Sequence, residues 1–359
     1  MKKNKLIKIL IIITVILIIL FGGAYLFLRS YIAKVNYQDD KAAYAEETAA
    51  VIDEAEIEAD LLEDEVSTEP DSPETEIALL ESQLQEQLNE ASEVKFHEDV
   101  INILLIGSDS RQKGKRGRSD TIILFSVNTN TKEIYMTSFM RDCYVEIPGK
   151  GNNRINAAYA YGGASLLMDT LEHNFKIQVD DYAMIDFYSF VEIIDSIGGI
   201  ELEVSGAEVE VMNKYIQGLN GLYGYDANAN KLSGGGKILA NGIQALGYAR
   251  VRYVGNGDFE RTQRQRTVIM KVIEKVKGMS LLEINDLLNV LLPEITTNLT
   301  ENEIMSLLLK VPGFLQYDIQ QLRVPVDGSY ESMRINGMAV LGVDLKKNQD
   351  FLSESIYGE

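Results

Sequence analysis

From Ile9 to Leu28 the chain is almost wholly apolar, broken only by Gly22 and Gly23. A helix needs about 20 such residues to cross the hydrocarbon core of a bilayer. A cleaved secretory signal has a shorter apolar stretch and a small-x-small site, and Leu26-Phe27-Leu28-Arg29 offers no such site. The run therefore reads as an uncleaved anchor. Lys2, Lys3, Lys5 and Lys8 precede it while only Arg29 and Lys34 follow closely, so the positive-inside rule keeps residues 1–8 in the cytoplasm. No other segment is long and apolar enough to cross. The expectation is a single-pass protein of the cell membrane with nearly the whole chain outside.

The net charge of −20 is local. Between Asp39 and Asp99 there are 22 Asp and Glu against Lys41 and Lys95, a local net of −20, which leaves 32 acidic and 32 basic residues elsewhere. Such a stretch self-repels and stays extended. It suits a spacer lifting a near-neutral domain off the membrane, and equally a solvated charge run with no specific role. The chain accordingly divides into a cytoplasmic tail (1–8), a span (9–28), an acidic stalk (29–99) and a domain over 100–359, with its core motifs in 101–277. Cys143 is the lone cysteine and His97 and His173 the two histidines, which argues against a disulfide framework or a zinc centre.

Within the acidic stretch, Asp71-Ser72-Pro73-Glu74 reads as a helix start, and Ile77, Leu80, Leu84 and Leu88 follow at helical spacing. Too few heptads are present for a coiled coil; a helix packed on the domain, or a transient helix in the stalk, is the preferred reading. Beyond Val100 the apolar runs 101–106, 121–127 and 134–139 read as strands, the first buried on both faces. Asn128-Thr129-Asn130-Thr131 supplies a hairpin-like turn. Helical patterns cover 157–174, 187–197, 241–248, 261–277, 281–292 and 301–311, with strands at 200–204 and 319–324. Interleaved in this way, they predict an α/β fold with a mixed central sheet flanked by helices on both faces. The stretch 215–236, rich in Gly, Asn and Tyr, reads as a long surface loop.

Three clusters carry chemistry. Asp109 ends the first strand, and Asp120 opens the second after a loop bearing Arg111, Lys113, Lys115, Arg116 and Arg118. Two carboxylates at strand ends around a basic loop fit a hard divalent cation bridging to phosphate oxygens, though a turn with Asp capping backbone amides fits as well. Arg141-Asp142 ends the third strand, an arrangement that on its own is no more than a local ion pair. In the third cluster Arg250 and Arg252 share a face if extended. Arg261 and Arg264 share one if a helix begins near Asp258, which would cap it. Arginine rather than lysine throughout this window favours bidentate recognition of phosphate or carboxylate; the alternative is an exposed basic helix.

In this order the clusters resemble the LytR-CpsA-Psr family of cell-wall glycopolymer ligases. The matching stretches are Gly107-x-Asp109-x-Arg111, Gly117-Arg118-Ser119-Asp120-Thr121, Arg141-Asp142, the run Arg154 to Gly163, Asn241 to Arg252, and Asp258-x-x-Arg261-x-x-Arg264-Gln265. The resemblance implies transfer of a teichoic acid or capsule-type polymer from a polyprenyl-pyrophosphate carrier to peptidoglycan through a phosphodiester, with the prenyl tail in an apolar pocket between sheet and helices. Carried over residue by residue, Asp109 and Asp120 would hold Mg²⁺ or Mn²⁺. Arg118, Arg141, Arg250, Arg252 and Arg261, with Arg264 and Gln265 of the same motif, would hold the pyrophosphate. Arg141 would also serve catalysis, and Asp258 or Asp142 would act as the base.

There are departures. Ser138-Phe139-Met140 precedes Arg141 where the family usually places a proline, and Cys143 stands in place of a common hydroxyl residue. The 215–236 stretch looks expanded. Gly234-Gly235-Gly236-Lys237 is not a phosphate-binding P-loop, since Ile238 replaces its Ser or Thr. The same site would allow a pyrophosphatase, with water in place of the sugar hydroxyl. A membrane-bound transcriptional attenuator or regulator of cell-envelope genes is the reading from another class. It needs a cytoplasmic DNA-binding surface, and an acidic segment repels duplex phosphates, so nucleic acid is not expected as a partner.

Overall fold

The computed structural model describes residues 29–30, 32–38, 70–90, 93–108 and 118–358. The apolar run 9–28, the acidic residues 39–69 and the loop 109–117 with Asp109 lie outside them. Among the described residues no helix is long and apolar enough to cross a membrane.

Seven strands form the main sheet, in the order Asn36–Tyr37, Thr296–Thr297, Asp181–Asp186, Val100–Ser108, Ser119–Asn128, Glu133–Phe139 and Asp318–Val324. Val100–Ser108 runs parallel to Asp181–Asp186 and antiparallel to Ser119–Asn128, while Glu133–Phe139 runs parallel to Asp318–Val324. The sheet is mixed, as the interleaved pattern predicts. Its pairings bring Ser108, Asp186, Phe139 and Val324, each the last residue of its strand, to one edge together with the start of the Ser119 strand. In open α/β sheets the carboxyl ends of strands are where ligands bind.

Burial along Val100–Ser108 alternates between buried and half-buried, not the two-sided burial expected from its continuous apolar run. Successive side chains point to opposite faces. Leu104 and Ile106 face a core shared with the Ile155–Phe175 helix, the Leu345–Leu352 helix and a second, four-stranded sheet. Leu105 and Gly107 face instead an apolar cleft beneath the helices Phe187–Ser196, Gly242–Ala249 and Asp258–Lys277. The strand is apolar on both sides because one side lines that cleft. At Gly107 the two central strands come close: a Cβ there would sit 2.8 Å from Thr121 Cβ.

Two other expectations change. The first part of 215–236, through Leu222, is helix, because Gly206–Leu222 begins at a capping box of Ser205 and Glu208 and buries Val209, Met212, Ile216 and Leu219. That spacing lies mostly upstream of the Gly-rich residues that suggested a loop. Only 223–235 remains as a connection, and Gly236–Ala240 pairs with Ile200–Val204. The fold also reaches outside 100–359. Asn36–Tyr37 pairs with Thr296–Thr297, and Glu74–Glu90 docks through Leu80 and Leu84 onto the first core. The docked helix is thus the packed form of the two expected.

Leu84 is 1% exposed. Leu84→Ala is expected to lower unfolding free energy by about 2–5 kcal/mol, read as a shift in urea midpoint; an unchanged midpoint would mean that the helix does not belong to the cooperative fold.

Candidate active site

Arg141 follows the Glu133–Phe139 strand at the ligand-binding edge, and its side chain is 4% exposed. Nη1 donates to Asp120 Oδ1 at 2.8 Å, while Nε lies 3.6 Å from Asp142 and 3.8 Å from Asp258. One guanidinium therefore links carboxylates from three separate segments. Asp142 is further held by Arg154 Nη1 at 3.4 Å, at the start of the Ile155–Phe175 helix. A buried carboxylate is tolerable only when paired, and these pairs fix the local backbone.

The Asp258–Lys277 helix brings the next charges. Its N-cap is Gly257, with φ +60 and ψ −124, a conformation that a side chain would resist. Asp258 does not cap the helix as expected; it is the first helical residue and turns inward. Arg261 Nη2 approaches Asp258 Oδ1 to 2.7 Å and Arg252 Nε to 3.9 Å. Neither Asp258 oxygen finds a well-directed hydrogen bond among protein atoms, so the Arg261 contact is an ion pair rather than an aligned hydrogen bond.

The two carboxylates titrate in opposite directions. Burial works to raise the Asp120 pKa, but Arg141, Arg261, Arg250 and Arg118 outweigh it and hold the group well below the usual carboxylate range. For Asp258 burial wins: with the charge of Asp142 it pushes the pKa up against Arg261, Arg141 and Arg252. Asp120 stays ionised, and Asp258 is the one poised to take a proton.

Arg250 ends the Gly242–Ala249 helix, with its guanidinium 4.6 Å from the Phe187 ring centre and 5.3 Å from that of Tyr215. Stacked this way, a cation keeps its charge and loses its freedom. Arg141, Arg250, Arg252 and Arg261 line a cavity of about 120 Å³ together with Asp120, Tyr253 and Gln265, and Gln265 Nε2 donates to the Asp120 carbonyl at 3.3 Å. Four guanidiniums against one carboxylate make this an anion pocket. Thr121, Phe187, Leu246, Ala249 and Gln265 are common to this cavity and to the apolar cleft under Leu105 and Val268, so the two adjoin. A larger groove of about 790 Å³, between Glu74–Glu90 and the Tyr330–Val343 region, is lined by Glu and Gln side chains without an arginine cluster; charge, not size, locates the site.

Arg118, Asp120, Arg141, Asp142, Arg250, Arg252, Asp258, Arg261 and Gln265 thus come together, with Arg118 buried beside Asp120. Arg264 does not join them. Its Nε pairs with Glu208 at 2.7 Å, and its Nη atoms donate to the Val251 and Val254 carbonyls at 3.1 and 3.2 Å. It braces the arginine-bearing loop instead of facing the pocket. Asp109 lies outside the described residues, and no group of three or more His, Cys, Asp or Glu suited to a metal occurs among those described. Asp120 still fits a hard cation, as an ionised oxygen donor on the pocket wall. Phe187, Tyr215 and Arg154 are the site residues that sequence spacing misses. An arginine directly before a buried helix marks Arg154; nothing local marks the two rings.

The LytR_cpsA_psr family model matches residues 69–355. TagU of Enterococcus faecalis, named a polyisoprenyl-teichoic acid–peptidoglycan teichoic acid transferase, is 38% identical over 188 residues, 51% of this chain and 56% of its own. TagU of Bacillus licheniformis is 32% identical over 259 residues, 71% of this chain and 77% of its own. The Staphylococcus aureus protein named regulatory protein MsrR is 32% identical over 278 residues, 74% of this chain and 80% of its own. Among solved structures, TagT of Bacillus subtilis with bound octaprenyl pyrophosphate lipid superposes with TM-score 0.54 at 23% identity, over 73% of this chain and 93% of its own, and so shares the fold. With a family model matched over most of its length, the chain belongs to the LytR-CpsA-Psr family.

Proposed function

We propose that the protein transfers an anionic or capsule-type glycopolymer, teichoic acid-like, from a polyprenyl-pyrophosphate carrier to peptidoglycan, forming a phosphodiester. The observation that carries this reading is that the arginine pocket and the apolar cleft adjoin, with five lining residues in common. A ligand that uses both has a doubly charged head and a long hydrocarbon tail, and a lipid-linked pyrophosphate has that shape. The transferase names of the TagU relatives fit the same substrate. The apolar run 9–28 is read as the anchor that keeps the domain beside its lipid, outside the cell.

Arg250, Arg252, Arg261 and Arg141 hold the pyrophosphate oxygens, with Arg118 supporting Asp120 behind them. The acceptor hydroxyl oxygen attacks the phosphorus that bears the polymer. The bond from that phosphorus to the bridging oxygen breaks, and the lipid leaves as its monophosphate. Charge grows on the phosphoryl and leaving oxygens, so positioned guanidiniums are the main catalytic requirement. Asp258, directly or through one water, takes the hydroxyl proton; Asp142 is committed to Arg154 and Arg141 and serves as their strut. Asp120, with Asp109, would hold Mg²⁺ or Mn²⁺, which when bound would neutralise phosphate charge.

The test combines the full-length protein with a synthetic prenyl-pyrophosphate oligosaccharide and peptidoglycan oligomers in Mg²⁺. A joined product supports ligation; free phosphorylated sugar alone would show a pyrophosphatase. Arg261→Ala should cost at least about 100-fold in rate with little change in thermal midpoint, and near-parental transfer would remove the clamp. Because the Asp258 pKa is raised and the base must be ionised, activity should rise with pH along a limb above the ordinary aspartate range. In Asp258→Asn that limb should vanish, with a loss of about 10²–10⁴-fold. Asp120→Ala should weaken Mg²⁺ activation together with turnover; an unchanged metal titration would leave Asp120 a purely structural ion-pair partner.

A further inference from the structure

The described chain resumes at Arg29, one residue after the apolar run, and is tied down at once. Arg29 Nε lies 3.7 Å from Glu301. Ile32, 4% exposed, clusters with Leu299 and Ile304. Lys34 Nζ donates to Asn289 Oδ1 at 2.5 Å, and Asn36–Tyr37 extends the sheet edge. Neighbouring Cα atoms are about 3.8 Å apart, so nothing between Leu28 and this edge can act as a long tether. If residues 9–28 span the bilayer, the helices Leu281–Glu294 and Glu301–Phe314 are held at its surface.

Those elements carry exposed apolar side chains. Tyr37 is 57% exposed, Leu282 78%, Leu309 68% and Val311 38%, four of the ten large hydrophobic residues that the described structure exposes. Leu282 and Asn289 are seven apart and share a helix face, so Leu282 lies on the side that receives Lys34. Exposed apolar groups on elements that pack against the one segment following the apolar run mark an interaction surface. Tyr37, with Arg29 and Lys34 on that segment and Lys310 next to Leu309 in sequence, belongs to the mixture found where protein meets lipid headgroups. The surface also adjoins the cleft: Ser189, on the helix whose Phe187 and Phe190 line it, donates to Glu294 at 2.9 Å. Packed helices lie about 8–10 Å apart, so the cleft is one helix away from this face.

We propose that the Leu281–Glu294 and Glu301–Phe314 helices form a bilayer-contact face, with Leu282 and Leu309 in the headgroup layer. This sets the apolar cleft beside the leaflet that supplies a prenyl chain. The inference rests on the reading of residues 9–28 as a span, and its first test, by quenching, reads lipid contact without using catalysis.

The full-length protein carrying Leu282→Cys, Leu309→Cys or Leu239→Cys would be labelled with a small fluorophore and reconstituted in phosphatidylcholine–phosphatidylglycerol vesicles containing headgroup-proximal nitroxide lipids. Cys143 is buried, and Leu239 is 63% exposed on the small hairpin sheet. Several-fold stronger quenching at 282 and 309 than at 239 is the expected result, and equal quenching at all three positions overturns the proposal. Failure of the unlabelled protein to float with vesicles after an alkaline wash would remove the premise of a span, a result distinct from equal quenching. Transfer to peptidoglycan can fail without altering either readout. Leu282→Asp with Leu309→Asp should keep the thermal midpoint and turnover of a short-chain, detergent-soluble carrier while losing several-fold on a long-chain carrier in vesicles. Equal loss on both carriers would place these leucines outside lipid contact.

Discussion

The site depends on a single buried guanidinium. Arg141 hydrogen-bonds Asp120 and lies within 4 Å of Asp142 and Asp258, so it ties together the start of one strand, the end of another and the first turn of the arginine helix. Three carboxylates brought this close out of water would repel one another and lose hydration, each at a cost of several kcal/mol. The arginine offsets that cost only while all three stay in place. Removing it would take one cationic partner from all three at once, leaving Asp142 to Arg154 and Asp258 to Arg261 and Arg252, whereas removing any one carboxylate would leave Arg141 paired with the other two. The same asymmetry separates the pKa values. Asp120 takes the direct hydrogen bond and is ringed by further arginines, while Asp258 is more deeply desolvated and feels Asp142 as well.

The sheet makes this cluster useful by setting it against an apolar surface. Leu105 and Gly107 point into the cleft from the central strand, and Thr121 and Gln265 border both the cleft and the arginine cavity. Gly107 matters because the neighbouring strand approaches there too closely for a side chain. A larger residue would push Thr121 and, through it, the adjacent Asp120. The arginine cavity and the apolar cleft are therefore mechanically coupled through one pair of strands.

Much of this was legible in the sequence, for identifiable reasons. Strand and helix periods located the strands near 101–106, 121–127, 134–139, 200–204 and 319–324 and most of the helices within a few residues, but not Asp181–Asp186 or any strand of the four-stranded sheet. The spacing of Arg250, Arg252, Asp258 and Arg261 marked a candidate anion site. What periodicity does not encode is the partner of a buried face. The run 101–106 looks doubly buried because an apolar cleft needs the same residues as a core. The 206–222 helix was hidden because Gly218 and Gly221 lie in its last turns, while its capping box sits upstream of the stretch that looked like a loop. Phe187 and Tyr215 entered the site through tertiary packing against Arg250, and no local pattern announces that.

Arg261 and Arg264 show most clearly where spacing stops and structure begins. Three residues apart on one helix, they project in directions differing by about 60°, given 3.6 residues per turn. On a solvated helix that difference would be trivial. Here the helix lies between the anion cavity and the Gly206–Leu222 helix, so the angle separates two environments. Arg261 meets Asp258 and the cavity, while Arg264 meets Glu208 and two carbonyls of the loop that carries Arg252. The second arginine thereby satisfies backbone groups that would otherwise leave the loop free to move, and it fixes the position from which Arg252 reaches Asp258. Two like residues in one motif have become a cavity-lining group and its support, and the choice between those roles was made by what packs on each side of the helix.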